Sequence, residues 1–238
     1  MLIQIVTYNI HKGIGGIDRR YRPQRIIETL QHYEPDIILL QEVDDGVPRS
    51  SGDRQVELFA DAMEMGYHAY QRNVSLTTGH YGNAILSRYP LTDIQNIDLT
   101  IPLKKKRRAL FCRCHIQDRT LVLINCHLGL AGFERIMQAG KILNDNLFMN
   151  VHQTTPTIVG GDFNDVWGTL YKRCMAPAGF SPVSKHASTF PAFMPMRQLD
   201  NMYYRGQIKF IHSFPGRTDV AQQASDHLPL IADFDFPI

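Results

Sequence analysis

This sequence predicts an α/β fold in which two packed sheets are flanked by helices, on three observations. Apolar strand-like runs recur along almost the whole chain, and five of them end directly in a short polar motif. Amphipathic helical stretches follow strands in both halves. No repeat, low-complexity segment or long linker interrupts the pattern, so residues 1–238 read as one domain. A chain of 238 residues that is 44% hydrophobic can bury a core of that size.

Residues 2–9 read as the first strand, and Pro23 opens a helix over 24–34 with Ile26, Ile27 and Leu30 on its apolar face. Pro35 stops it. The continuous apolar run 36–40 predicts a strand buried on both faces. A second amphipathic helix is expected over 54–65, followed by strands at 67–71, 83–87 and 94–99. Residues 108–116 and 120–126 predict a hairpin about Gln117, Asp118 and Arg119. A helix over 132–150 and a short buried strand at 157–159 come next. The Pro- and aromatic-rich last third predicts brief strands near 198–203, 208–212 and 230–234.

Composition narrows the function classes. A net charge of +2 permits an anionic substrate but falls short of a DNA-coating protein. Cys112, Cys114, Cys126 and Cys174 lack zinc-site spacing and read as reduced thiols, which predicts a cytoplasmic protein. Met1 runs straight into the first strand with no signal-peptide pattern, although a leader removed upstream would leave the same start. No apolar stretch approaches the roughly 20 residues of a membrane helix. Oligomeric state has no signature here.

The polar motifs carry the chemistry. Asn9 and Glu42 close the first two buried strands, and one carboxylate beside one carboxamide suits a hard divalent cation such as Mg²⁺. In Gly160-Gly161-Asp162-Phe163-Asn164 the glycines let the backbone approach a ligand. Asp162 and Asn164 then lie on one side of an extended segment, with Phe163 turned into the core. That pair can orient a water and hold a phosphoryl oxygen. His227 follows Asp226, but neighbours on a strand point to opposite faces, so Asp200 is the expected partner of His227 and Asp226 is free to face a metal. His127 is a further donor for a pentavalent phosphorane.

Together the motifs Thr7-Tyr8-Asn9-Ile10-His11, Gln41-Glu42, Gly82-Asn83, Asn125-Cys126-His127, Gly161-Asp162-Phe163-Asn164, Leu199-Asp200 and Ser225-Asp226-His227 resemble the endonuclease/exonuclease/phosphatase superfamily. The likeness covers nearly everything from Ile5 to Phe234 and is greatest to small bacterial members. It implies a four-layered α/β sandwich of two mostly antiparallel sheets, like that of deoxyribonuclease I. It also implies cleavage of a phosphoester by water with Mg²⁺, for which Mn²⁺ can substitute. Matched residue by residue, Asn9, Glu42 and Asp226 would hold the metal. His127, Asp162, Asn164, Asp200 and His227 would be catalytic, and His11, Asn83 and Arg108 would join Asn164 in binding substrate. His11 stands where abasic endonucleases carry Asp, and His127 where they place Tyr; both differences lean toward the deoxyribonuclease and sphingomyelinase branches.

The expected function is therefore a Mg²⁺-dependent, nuclease-like phosphodiesterase or phosphatase. The basic run of residues 104–108 favours nucleic acid, or is a solvated loop guarding a strand edge. The aromatic and Met-rich stretch 190–196 favours a phospholipid, sphingomyelin or other small phosphoester instead. A catalytically inactive binding module on the same scaffold is the alternative from another class. Trp167, the one tryptophan, is expected to pack rather than wall the pocket.

Overall fold

The computed structural model describes residues 1–236. Its strands are β1 (Leu2–Asn9), β2 (Ile37–Asp45), β3 (Tyr67–Ser75), β4 (His80–Ser87), β5 (Leu91–Asp98), β6 (Arg108–Ile116), β7 (Arg119–His127), β8 (Thr157–Asp162), β9 (Ser181–Pro182), β10 (Asp200–Arg205), β11 (Lys209–Pro215) and β12 (Leu230–Asp235). The helices are α1 (Pro23–Tyr33), α2 (Gln55–Ala62), α3 (Gly132–Leu143), α4 (Asn146–Met149) and α5 (Asp219–Ala224).

Two six-stranded sheets result, in the orders β11-β12-β1-β2-β4-β3 and β5-β6-β7-β8-β10-β9. Each holds one parallel pair at its centre, β1–β2 and β7–β8, among antiparallel neighbours. Parallel neighbours need a crossover, and the helices supply it: α1 between β1 and β2, α3 and α4 between β7 and β8. The registers set Asn9 beside Gln41 in one sheet and His127 beside Asp162 in the other. Ligand sites form outside the carboxyl ends of such strands. Both parallel pairs deliver their polar motifs to that edge.

Three apolar clusters make the layers. Ile5, Leu39, Leu123, Ile158 and Phe234 pack between the sheets; Ile26, Leu30 and Phe59 lie under the outer face of the first sheet; Ile124, Ala139 and Phe163 lie under that of the second. The predicted α/β sandwich is therefore observed. A polar tie crosses its core just below the site. Gln41 Nε2 donates to Asn125 Oδ1 at 2.8 Å, and Asn125 Nδ2 donates to the carbonyls of Leu40 and Ala84, each at 2.8 Å.

Several element boundaries differ from expectation. The helix predicted over 132–150 is two helices, because Asp145 accepts from Leu147 N at 2.9 Å and caps a new start. The strands predicted at 67–71 and 157–159 continue to Ser75 and Asp162. The strand predicted at 36–40 continues to Asp45 through a bulge, so Glu42 does not close it. Helix α5, capped by Thr218, was not legible in the sequence: six residues are too few for a periodic signal.

Candidate active site

The bulge in β2 is what aims Glu42. Register with β4 shifts between Leu40 and Val43, and Glu42 takes a left-handed φ of 59°. A bulge re-aims a side chain at local conformational cost. Gln41 is turned into the inter-sheet tie, and Glu42 reaches the cleft.

The glycines beside Asp162 serve packing, not a ligand. A Cβ on Gly161, whose φ is 143°, would lie 1.8 Å from the Cys126 carbonyl oxygen; one on Gly160 would lie 2.5 Å from Leu39 Cδ1. Nor is the following segment extended. Asn164 has a φ of 52° and its N–H donates to Asp162 Oδ1 at 2.9 Å, an Asx turn that fixes the carboxylate.

The other oxygen of Asp162 is the focus of the site. Asn9 Nδ2 donates to Oδ2 at 3.0 Å, while Nε2 of His127 and Nε2 of His227 stand 3.4 and 3.8 Å from it. His227 Nδ1 bonds Asp200 Oδ2 at 2.7 Å, and Thr189 Oγ1 donates to that same oxygen at 2.6 Å. The expected His227–Asp200 pair is thus present, with Asp200 fully buried behind the imidazole.

Burial and charge set these groups apart. Burial disfavours the charged form of His227, but Asp200, its hydrogen bond, Asp162 and Asp226 outweigh it and raise the pKa to about 10. Burial, helped by Arg107, lowers His127 to about 4 against the pull of Asp162 and Glu42. Burial raises Asp162, opposed by both imidazoles and the Asn9 amide. Glu42 goes the other way. Burial works against its charge, yet His127, Lys12 and Tyr81 hold it at about 2. One histidine charged, its neighbour neutral and a base between them is an arrangement for moving protons.

These groups floor a cleft of about 1270 Å³ whose lining includes Asn9, Glu42, His127, Asp162, Asn164, Asp226 and His227. Arg108 also lines it, with Nη1 donating to the Arg72 carbonyl at 3.2 Å. Of the other expected substrate ligands, Asn83 lies inside the sandwich and His11 at the margin of the cleft. Asn83 is buried and donates to Gln71 Oε1 and the Arg108 carbonyl, each at 3.3 Å, because its strand position faces the second sheet. His11 Nδ1 bonds the Ile14 carbonyl at 2.9 Å and stands 3.9 Å from Asp226 Oδ1, and its N–H donates to Asn9 Oδ1 at 3.1 Å, so it sits at the margin of the cleft. Trp167 does not pack: it is 80% exposed.

Sequence reading missed Lys12 and Tyr81. Lys12 sits in a left-handed turn with His11 and Gly13, braced by Gln55 Nε2 on its carbonyl at 2.7 Å, and its ammonium pairs with Glu42. Only the non-glycine residues in a left-handed run mark that turn, and φ is invisible in sequence.

Glu42, Asp226 and the Asn9 carboxamide bring hard oxygen donors to one cleft, and Lys12 shows that the Glu42 carboxylate draws a cation; the residues fit a divalent ion. A tighter group, Asp162, Asp200 and His227, has ligand atoms within 4.8 Å of one another. Its members already bond each other, and it reads as a proton relay.

The chain matches the family described as Endonuclease/Exonuclease/phosphatase over residues 6–227. It is 30% identical over 245 residues to the uncharacterized protein YbhP of Escherichia coli (strain K12), covering 97% of this chain and 95% of that protein. Among solved structures it resembles the endonuclease/exonuclease/phosphatase from Beutenbergia cavernae, with a TM-score of 0.84 at 18% identity over 99% of this chain and 72% of that one. It also resembles a humanized TDP2 from D. rerio, with a TM-score of 0.76 at 18% identity over 99% of each chain. At such identities the structures speak for the fold alone. The family match extends across both sheets and every strand that feeds the cleft: the chain belongs to the endonuclease/exonuclease/phosphatase family.

Proposed function

We propose that this chain is a divalent-metal-dependent hydrolase that cleaves phosphodiesters by attack of water, with Mg²⁺ as the preferred ion and Mn²⁺ as a substitute. The observation that carries the reading is Asp162 set between two imidazoles, one of them made strongly basic by Asp200, on the floor of a cationic cleft.

Each residue then has a task. Asp162, its basicity raised by burial, orients the water and takes its proton. His227, protonated at neutral pH, gives its proton to the leaving oxygen as the P–O bond breaks. The products are a monoester and an alcohol. The 3.8 Å between Asp162 Oδ2 and His227 Nε2 lets the captured proton return to the imidazole and reset the pair. Neutral His127 donates a hydrogen bond to the developing phosphorane, and the Asn164 side chain, now donating to the Leu128 carbonyl at 3.1 Å, holds the position beside it. Glu42, Asn9 and Asp226 would hold the cation, which neutralises phosphoryl charge. Arg108 and the neighbouring cleft cations draw the anionic ester in.

Residues 1–238 act as one catalytic domain in this reading, supported by a site whose side chains come from both sheets. The four free thiols support the cytoplasm as its location. The test is EDTA-sensitive hydrolysis of bis-p-nitrophenyl phosphate. Glu42→Gln, Asp162→Asn and His227→Ala are each expected to lower it by about 10²–10³ or more. Full activity in any two of the three refutes the assigned roles.

A further inference from the structure

Large apolar side chains stand exposed on the segments that line the cleft. Leu103, Leu130, Phe133, Trp167, Phe193 and Met196 are 104%, 78%, 55%, 80%, 55% and 64% exposed. Single exposed hydrophobics are ordinary; a gathering of large ones marks an interaction surface. These six come from four segments: the β5–β6 loop, the stretch from β7 into α3, the loop after β8 and the loop before β10. The same segments line one cleft through Lys105, Leu130, Val166 and Phe190.

They are also joined to each other. Lys104 Nζ bonds Glu134 Oε1 at 2.8 Å and lies 5.3 Å over the Phe133 ring. Asn164 Nδ2 reaches the Leu128 carbonyl at 3.1 Å, and the Phe163 N–H donates to the Leu199 carbonyl at 2.9 Å. The basic run 104–108 therefore shares a rim with the apolar side chains.

We propose that this rim docks the protein on an anionic lipid surface, a step that deepens the hydrolase reading above and rests on it for the chemistry that follows docking. Apolar side chains beside clustered Lys and Arg are the chemistry of peripheral membrane contact: the former enter the headgroup boundary and the latter meet its negative potential. A nucleic acid would be served by the charges and by stacking aromatics, but Leu103, Leu130 and Met196 offer it no ring. Among the described residues no helix is long and apolar enough to cross a membrane, so the contact is peripheral.

Trp167, the sole tryptophan, makes the test direct. The full chain is titrated with vesicles of phosphatidylcholine alone and of phosphatidylcholine mixed with phosphatidylglycerol, with and without brominated acyl chains. The expected result is a blue shift and bromine quenching of Trp167 with anionic vesicles only, matched by cosedimentation. Phe193→Ser and Met196→Ser should each weaken binding about tenfold, and Lys105→Glu and Lys106→Glu about fivefold or more apiece. Bis-p-nitrophenyl phosphate hydrolysis by Phe193→Ser and Met196→Ser should match the parent. Absence of quenching, or tight duplex DNA binding with no vesicle binding, overturns docking and leaves the hydrolase reading standing. Docking without hydrolysis of any phosphoester upholds the surface and removes the hydrolase.

Discussion

Asp200→Asn isolates the charge that makes His227 an acid. The carboxylate is fully buried, and its Oδ2 accepts from His227 Nδ1 at 2.7 Å and Thr189 Oγ1 at 2.6 Å, so an Asn of the same shape removes charge without opening a cavity. The rise of His227 from 6.5 to about 10 corresponds to roughly 5 kcal/mol of preference for the imidazolium. Asp200 is the chief favourable cause, ahead of Asp162 and Asp226, and burial opposes all three. Loss of roughly 3 kcal/mol, about two units, brings His227 down to about 8. The alkaline limb of the pH–rate profile should therefore move from about 10 to about 8, with the rate at pH 9 down by about tenfold. Bis-p-nitrophenyl phosphate hydrolysis across pH reads the limb, and imidazole nitrogen shifts by NMR read His227 itself. Thr189→Val removes the other donor to that oxygen but no charge, and should leave the limb in place. In a His227→Ala background, Asp200→Asn should add less than about threefold. An alkaline limb unmoved by Asp200→Asn would show that Asp200 merely braces the loop and that the proton comes from elsewhere.

Stability should also depend on pH, with opposing limbs. His227 is raised, so its contribution is complete below pH 6.5 and is lost as pH climbs through about 10. His127 is lowered to about 4, so the unfolded chain takes up protons first and stability falls as pH drops from 6.5 toward 4. Glu42, held at about 2, extends that acid loss below 4.5. Thermal midpoints measured across pH should peak near 6.5, and a monotonic rise to pH 10 would contradict these assignments. Asn125→Ala unties the two sheets, removing one of the three hydrogen bonds of Gln41 Nε2 and the side-chain donations to the Leu40 and Ala84 carbonyls, and should lower the urea-derived stability by about 3 kcal/mol. Gly161→Ala sets a methyl group 1.8 Å from the Cys126 carbonyl oxygen and should cost more than about 3 kcal/mol by the same measurement.

Two packed sheets, helices α1 to α3 and most of the residues that meet at the cleft were legible in the sequence. Continuous apolar runs such as 36–40 demand burial on both faces, and a carboxylate or imidazole straight after such a run is delivered to a strand end. Hence Asn9, His127 and Asp162 were found; Asp200 was chosen as the partner of His227 by setting Asp226 aside on strand alternation, and the pair forms although Asp226 and His227 lie in a bend before β12 and both line the cleft.

The tertiary structure decided what alternation cannot report: what faces each residue across the second sheet. Asn83 sits on the same kind of strand as the true cleft residues, yet its side chain meets Gln71 and the Arg108 carbonyl inside the sandwich. The glycines at 160 and 161 answer to Leu39 and the Cys126 carbonyl rather than to a ligand. Glu42 reaches the site through a bulge, and Lys12 reaches Glu42 through a left-handed turn. Periodicity encodes the direction of a side chain relative to its own strand; contact depends on the partner brought up by a chain segment far away. That is why the composition of the site was readable one residue at a time, whereas its wiring needed both sheets in place.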